Sequence, residues 1–206
     1  MFKNCKNVKY IDVSNWNFGS GAIYNNEGTI ARVTGDFIDN CAKTTADGVL
    51  AYGGAIYNGD GASLKVVTGG KDIVFSGNYV SATGYAALAL GGAIYNGASY
   101  EDPDEPAFSY TTLVQLCAED GKAISFVGKD GEEIVDSVHN EGTLYVNKGA
   151  YTGTVNFANV TDAADDPTGK MYIENGTVNM KKAQWFMNRW AFFLCQVNYL
   201  LIVLSL

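Results

Sequence analysis

The sequence predicts an all-β chain, a parallel β-solenoid of about four to six coils, and three observations carry that prediction. The pentapeptide Gly-Ala-Ile-Tyr-Asn occurs three times, at residues 21–25, 54–58 and 92–96, with spacings of 33 and 38 residues. Self-similarity at such a period marks stacked supersecondary units that share a core with their neighbours. A second motif, Phe-x-x-Asn, alternates with the first, as Phe37-Ile38-Asp39-Asn40 and Phe75-Ser76-Gly77-Asn78. Between residues 11 and 180, short runs rich in Ile, Val, Tyr, Phe and Thr are punctuated by Gly, Asn and Asp, and no helical period is sustained.

Each unit reads as three short strands and a variable loop. The pentapeptide gives the first strand. Gly28-Thr29-Ile30 and Gly61-Ala62-Ser63-Leu64 lead into the second, marked by the alternating pairs Ile30, Val33 and Leu64, Val66. The third ends at Phe-x-x-Asn, after which a stretch of small residues returns to the next glycine pair. Weaker copies follow. Val138-His139-Asn140-Glu141-Gly142-Thr143-Leu144 mirrors residues 23–30 with one residue deleted, Ile124-Ser125-Phe126-Val127-Gly128 resembles residues 73–77, and Glu174-Asn175-Gly176-Thr177-Val178 is a fainter echo. The repeat domain is therefore placed at 1–182, clearest over 19–96 and degenerate over 124–180.

In a parallel stack, equivalent positions lie about 4.8 Å apart, so a repeated residue becomes a row of like residues. Ile23, Ile56 and Ile94 are expected to form an aliphatic ladder facing inward, and Phe37 and Phe75 an aromatic one. Asn25, Asn58 and Asn96, two residues after the isoleucines, share their face, and Asn40 and Asn78 make a second amide row. Asparagine suits this place because its amide bonds to copies above and below and tolerates left-handed backbone angles. Tyr24, Tyr57 and Tyr95 alternate to the opposite face. They form either an outer stripe able to stack on sugars or a protein partner, or a row covered by a loop or neighbouring strand.

The combination of Gly-Gly-Ala-Ile with Phe-x-x-Asn resembles the repeats of the chlamydial polymorphic membrane proteins and similar autotransporter adhesin passengers. The first copy departs from the pattern, with Ser20 in place of the first glycine, and Lys129 stands where a third motif asparagine would fall. The resemblance implies a right-handed parallel β-helix, exported and displayed at the bacterial surface by a C-terminal outer-membrane barrel, with roles in adhesion and host contact. The implied partners are a host-cell surface or an extracellular matrix protein or glycan. No catalytic residue is carried over, because the family motifs are structural.

A formal charge of −8 and a pI near 4.5 argue against nucleic acid and anionic membrane surfaces as partners, since both select basic patches. The arginines are Arg32 and Arg189, and His139 is the one histidine, so most catalytic constellations cannot be assembled. Cys5, Cys41, Cys117 and Cys195 show no metal-ligand spacing, and no cofactor or metal site is expected from them. Cys5 and Cys41 either pair across neighbouring coils after export or remain thiols. The loop Glu101-Asp102-Pro103-Asp104-Glu105-Pro106 is an exposed insertion; it reads as a solvated acidic loop, with calcium the other reading, although no EF-hand or nonapeptide pattern orders the carboxylates. Asp162 to Asp166 reads the same way.

Both ends differ from the repeat. The first residues carry lysines without an apolar stretch, so no signal peptide is recognisable, and the sequence reads as starting within a larger chain. Residues 183–206 are apolar and expected to be helical: a cap on the open strand edge, a membrane anchor over 190–206, or out-of-frame sequence. Three functions compete. The first is a structural and binding module of a surface adhesin. The second is a polysaccharide-active β-helix enzyme, a lyase or glycosidase, for which Asp165, Asp166 and scattered lysines offer no assembled site. The third is a truncated reading frame without an independent role.

Overall fold

The computed structural model describes residues 21–128, 137–161 and 168–180, together with the backbone of 11–12, 181–182, 194–195 and 201–204. Strand Ile11–Asp12 (β1) comes first. The first repeat contributes Ile23–Asn25 (β2), Thr29–Thr34 (β3) and Phe37–Ile38 (β4), then Cys41–Thr44 (β5) and Leu50–Tyr52 (β6). The second contributes Ile56–Asn58 (β7), Ser63–Val67 (β8), Ile73–Ser76 (β9), Tyr79–Ala82 (β10) and Leu88–Leu90 (β11). The third holds Ile94–Asn96 (β12), Leu113–Cys117 (β13) and Ala123–Val127 (β14), with a 3-10 turn at Pro106–Phe108. The remaining strands are Val138–Asn140 (β15), Thr143–Val146 (β16), Thr154–Thr161 (β17), Lys170–Ile173 (β18), Thr177–Lys182 (β19), Leu194–Cys195 (β20) and Leu201–Leu204 (β21). Among the described residues the chain is all-β.

Every pairing between these strands is parallel, and it joins equivalent pieces of successive repeats. One sheet runs β1-β3-β8-β13-β16-β18-β20. A second begins β2-β7-β12-β15 and continues through β17 into β14, β9 and β4. Strand β17 belongs to both stacks, because Thr154 to Asn156 lie opposite β14 while Val160 and Thr161 lie opposite β15. The pentapeptides pair in register: Ile23, Ile56 and Ile94 stand opposite one another, as do Tyr24, Tyr57 and Tyr95, and Asn25, Asn58 and Asn96. The weaker copy continues each row with Val138, His139 and Asn140.

Alternation sends one side chain in two inward. Ile23, Ile56, Ile94 and Val138 are fully buried, as are Leu64, Val114 and Leu144 of the other sheet. Phe37 and Phe75 stack with centroids 4.6 Å apart, and the row continues through Phe126 and Phe157 at 4.7 and 5.5 Å. The core is thus a set of rows, each side chain packed against its equivalents one strand away.

The amide row is a hydrogen-bonded chain. Asn25 donates through Nδ2 to Asn58 Oδ1 at 2.8 Å, Asn58 to Asn96 at 2.9 Å, and Asn96 to Asn140 at 2.7 Å. The remaining donor capacity goes to backbone carbonyls, such as Ala62 and Leu113 for Asn58. Asn40 likewise donates to Asn78 at 2.8 Å, and Asn78 to the Phe37 carbonyl. None of these asparagines uses the left-handed backbone that the sequence reading allowed them. That conformation falls to Asp39 and Gly77, immediately before Asn40 and Asn78. The asparagine is retained for its side-chain amide, and its neighbour makes the turn.

The glycine pairs have two separate causes. Gly53 and Gly91 lie at φ of +57° and +72°, where an L side chain is strained. Gly54 is excluded from bearing a side chain by space, since a β-carbon there would sit 2.1 Å from the Gly92 carbonyl oxygen.

Two expectations are corrected. The stretch after each Phe-x-x-Asn is not merely a loop. Strands β5 and β6 pair with β10 and β11, Cys41 opposite Tyr79 and Tyr52 opposite Leu90, so the excursions of the first two repeats stack as a pair of arms. Stacking satisfies their backbone groups although Ala, Lys and Ser give little strand signal. The apolar tail from Ala183 was expected to be helical, yet its described residues are strands. Tyr172 and Ile173 lie opposite β20, and Thr177 to Met180 lie opposite β21. The run Leu-Ile-Val-Leu is as compatible with a buried strand as with a helix, and the unpaired edge of β19 supplies hydrogen bonds that favour the strand. No helix among the described residues is long and apolar enough to cross a membrane.

Candidate functional site

Because β2, β7, β12 and β15 are in register, the outward residues of the first stack form one aromatic row. Tyr24 and Tyr57 stack at 4.7 Å with an interplanar angle of 11°, Tyr57 and Tyr95 at 5.5 Å, and Tyr95 and His139 at 5.6 Å. Exposure falls along it. Tyr24 is 37% exposed, Tyr57 is half-buried and Tyr95 is 7% exposed. The cover comes from the first arm. The Tyr52 ring centroid lies 4.3 Å from that of Tyr95 and 5.8 Å from that of Tyr57. Both alternatives read from the sequence thus occur in one row, at opposite ends.

The buried end is polar and fully engaged. Tyr95 donates its hydroxyl to Glu141 Oε2 at 3.1 Å, and His139 Nε2 meets Glu141 Oε1 at 2.9 Å. With the carboxylate fixing the proton on Nε2, Nδ1 faces Thr161 Oγ1 at 2.9 Å. The hydrogen bond from His139 holds the Glu141 carboxyl below the usual range, against burial and with help from Tyr95. Burial pushes the Tyr57 hydroxyl up to about 12, with Tyr24 and Asp60 adding to it, and raises Tyr95 further through burial and the Glu141 charge.

The exposed end opens into a cleft of about 330 Å³ lined by Tyr24 and Tyr57 of the row and by Ala42, Lys43, Leu50 and Tyr52 of the arm. Lys43 reaches over the Tyr79 ring, its Nζ 5.0 Å from the centroid. Tyr52 and Lys43 escaped the sequence reading, because Leu90 and Ser81 hold their places in the next repeat and no repetition marks them. His139 was visible as the pentapeptide tyrosine's counterpart, and Glu141 only as the residue before a glycine.

The other sequence candidates do not join this site. In the acidic insertion, Asp102 Oδ1 accepts the backbone N–H groups of Asp104 and Glu105 at 2.9 Å each, which lowers its pKa, and Glu101 lies 3.7 Å from Lys170. Among the described residues no three His, Cys, Asp or Glu side chains converge to hold a metal ion. Cys117 is buried, and burial pushes its thiol up to about 11, which makes it unreactive at neutral pH. Cys5, the acidic turn at 162–166 and Lys129 lie outside the described residues.

Row and cleft together form a graded surface, with aromatic faces at the open end and a closed hydrogen-bonded cluster at the other. Such a surface can hold a flat or ringed ligand by stacking. No protein-family model matches the chain, and neither a curated protein nor a solved structure matches it.

Proposed function

We propose that the chain is a right-handed parallel β-helix module of a bacterial surface adhesin, similar to the passengers of autotransporters such as the chlamydial polymorphic membrane proteins. Its work is mechanical and adhesive. Stacked coils give a stiff spacer, and the outer aromatic row with its flanking arms offers the contact face for a host-cell surface, a matrix protein or a glycan. The observation that carries this reading is the in-register row from Tyr24 to His139, in which like aromatic side chains stand one strand apart and the first remains open to solvent.

The repeat supports the coil, since the strands of one unit pair in parallel with their equivalents in the next, as a β-helix requires, and parallel strands are usually joined by right-handed crossovers. In the parent protein the module would stand outside the cell, beyond a translocator barrel, where a net charge of −8 favours solubility.

The test is binding of the purified chain to cultured epithelial cells and to immobilised matrix proteins at micromolar concentration. Saturable binding that falls when Tyr24 and Tyr57 are replaced by alanine supports the module. Absence of binding to every surface removes the adhesive role, and release of unsaturated or reducing sugar ends from acidic polysaccharides would replace it with an enzymatic one.

A further inference from the structure

We infer that the cleft between the first arm and the open end of the aromatic row is a saccharide subsite, holding one or two sugar rings of a neutral glycan. This deepens the adhesive reading and rests on it. The cleft volume of about 330 Å³ is at the small end of ligand sites, the size of a mono- or disaccharide rather than a folded protein segment. One side is aromatic, with the Tyr24 and Tyr57 rings nearly parallel in their stack, 11° apart, and Tyr52 tilted against Tyr57 by 47°. Tyr57 is stacked between Tyr24 and Tyr95, so a pyranose would pack its C–H groups on Tyr24 or Tyr52 and meet Tyr57 at its edge.

The polar groups fit the same ligand. The hydroxyls of Tyr24, Tyr52 and Tyr57 have no hydrogen-bond partner among the described residues, whereas the Tyr95 hydroxyl a strand away is taken by Glu141. Three phenols that accept and donate, with the Lys43 ammonium on the opposite wall, match a ring of sugar hydroxyls. A polyanion fits less well. Among the described residues Lys43 is the one cation lining the cleft, and the carboxylates of Asp60 and Glu141 add to burial in raising the pKa of Tyr52 and Tyr57. Leu50, 39% exposed, completes an apolar rim from the arm. The subsite exists because the arm folds back over the row.

The experiment is saturation-transfer NMR of the full chain with lactose, N-acetyllactosamine, chitobiose and maltose, and with heparin-derived disaccharides as the anionic comparison. Transfer to the ring protons of at least one neutral sugar is expected, weakened about tenfold or more in Tyr52→Ala and Tyr24→Ala, the size of a lost aromatic anchor. Little change is expected between low and physiological salt. Tyr24 is solvent-exposed and terminal in the described row, so Tyr24→Ala keeps the fold intact if Tyr52→Ala does not. Tyr145→Ala, on the outer face of the other sheet, should bind as the parent does. No transfer from any neutral sugar, transfer unchanged in both tyrosine variants, or preference for the anionic disaccharides each overturns the subsite. Cell or matrix binding that persists without saccharide binding removes the subsite and leaves the adhesin reading. Saccharide binding without cell or matrix binding does the reverse.

Discussion

Tyr52 rests on Tyr95, ring centroid to ring centroid at 4.3 Å, although the two belong to different strand stacks. This contact joins the arm to the row and removes Tyr95 from solvent, and it makes the hydroxyls along the row unequal acids. A folded-state pKa raised above about 10, the unfolded value, gives stability that is complete below pH 10 and is lost as pH rises through the folded value. Spectrophotometric titration should therefore show an ordinary phenolate class and a delayed one, with Tyr57 near 12 and Tyr95 later. Unfolding by alkali should accompany the delayed class. Tyr52→Ala, which uncovers Tyr95, should bring part of that class back toward 10; a titration identical to the parent's would refute the packing.

Acid acts on the same cluster with the opposite sign. The carboxyl of Glu141 is held low mainly by the hydrogen bond from His139, so its contribution is present above about pH 4.3, the unfolded carboxylate value, and is lost as pH falls through the lower folded value. Urea midpoints measured from pH 7 to pH 3 should fall more steeply in the parent than in Glu141→Gln. The groups on the carboxylate are His139 and Tyr95, and at neutral pH Glu141→Gln should cost about 1–2 kcal/mol for a lost charged hydrogen bond. Parallel pH curves would show that Glu141 does not titrate where its partners require.

Asn58 is the most constrained residue of the amide row, accepting from Asn25 and donating to Asn96 as well as to two backbone carbonyls. Asn58→Ala leaves a buried acceptor on Asn96 and a reduced set of partners for Asn25, and should destabilise by about 2–4 kcal/mol. Asn58→Asp should be worse at neutral pH, because the carboxylate cannot donate to the Asn96 oxygen and is buried as a charge. Asp104→Ala, on the exposed insertion, should be within about 0.5 kcal/mol of the parent. Chemical denaturation orders the three.

Two glycines separate space from backbone strain. Gly54→Ala places a β-carbon 2.1 Å from the Gly92 carbonyl oxygen and 2.5 Å from that of Tyr79, so two backbone segments must move apart. A loss of more than about 3 kcal/mol is expected, of the kind seen with overpacking. Gly70→Ala meets nothing within 4 Å and is opposed only by a φ of +85°, at a cost of about 1–2 kcal/mol. Equal midpoints for the two variants would contradict the close approach of the second and third repeats.

The sequence carried the row positions and lost the excursions, and the reason is where repetition constrains residue type. Ile23, Ile56 and Ile94 share an environment made of one another, so the same side chain recurs and the register is readable. Phe157 continues the phenylalanine row without a Phe-x-x-Asn motif around it, because only the inward position feels the stack. Tyr52 is different. It packs across onto the row, while its equivalent Leu90 is turned to a half-open site, so nothing forces the two to match. The tail misled for a physical reason too. A short run of Leu, Ile and Val is neutral between helix and strand until an open strand edge decides it.

The amide row has a sense that the sheet beside it lacks. Backbone groups of a parallel strand reach alternately to both neighbours, so a sheet reads alike in either direction along its stack. From Asn25 to Asn140 each of the three links runs the same way, from the amide N–H of the earlier residue to the carbonyl oxygen of the later one. The row is a polarised wire, its small dipoles aligned and each bond strengthening the next. A repeat can be duplicated or removed only as a whole, in the same orientation, with its asparagine as the coupling; within that rule, length can change while the chemistry of every junction stays the same.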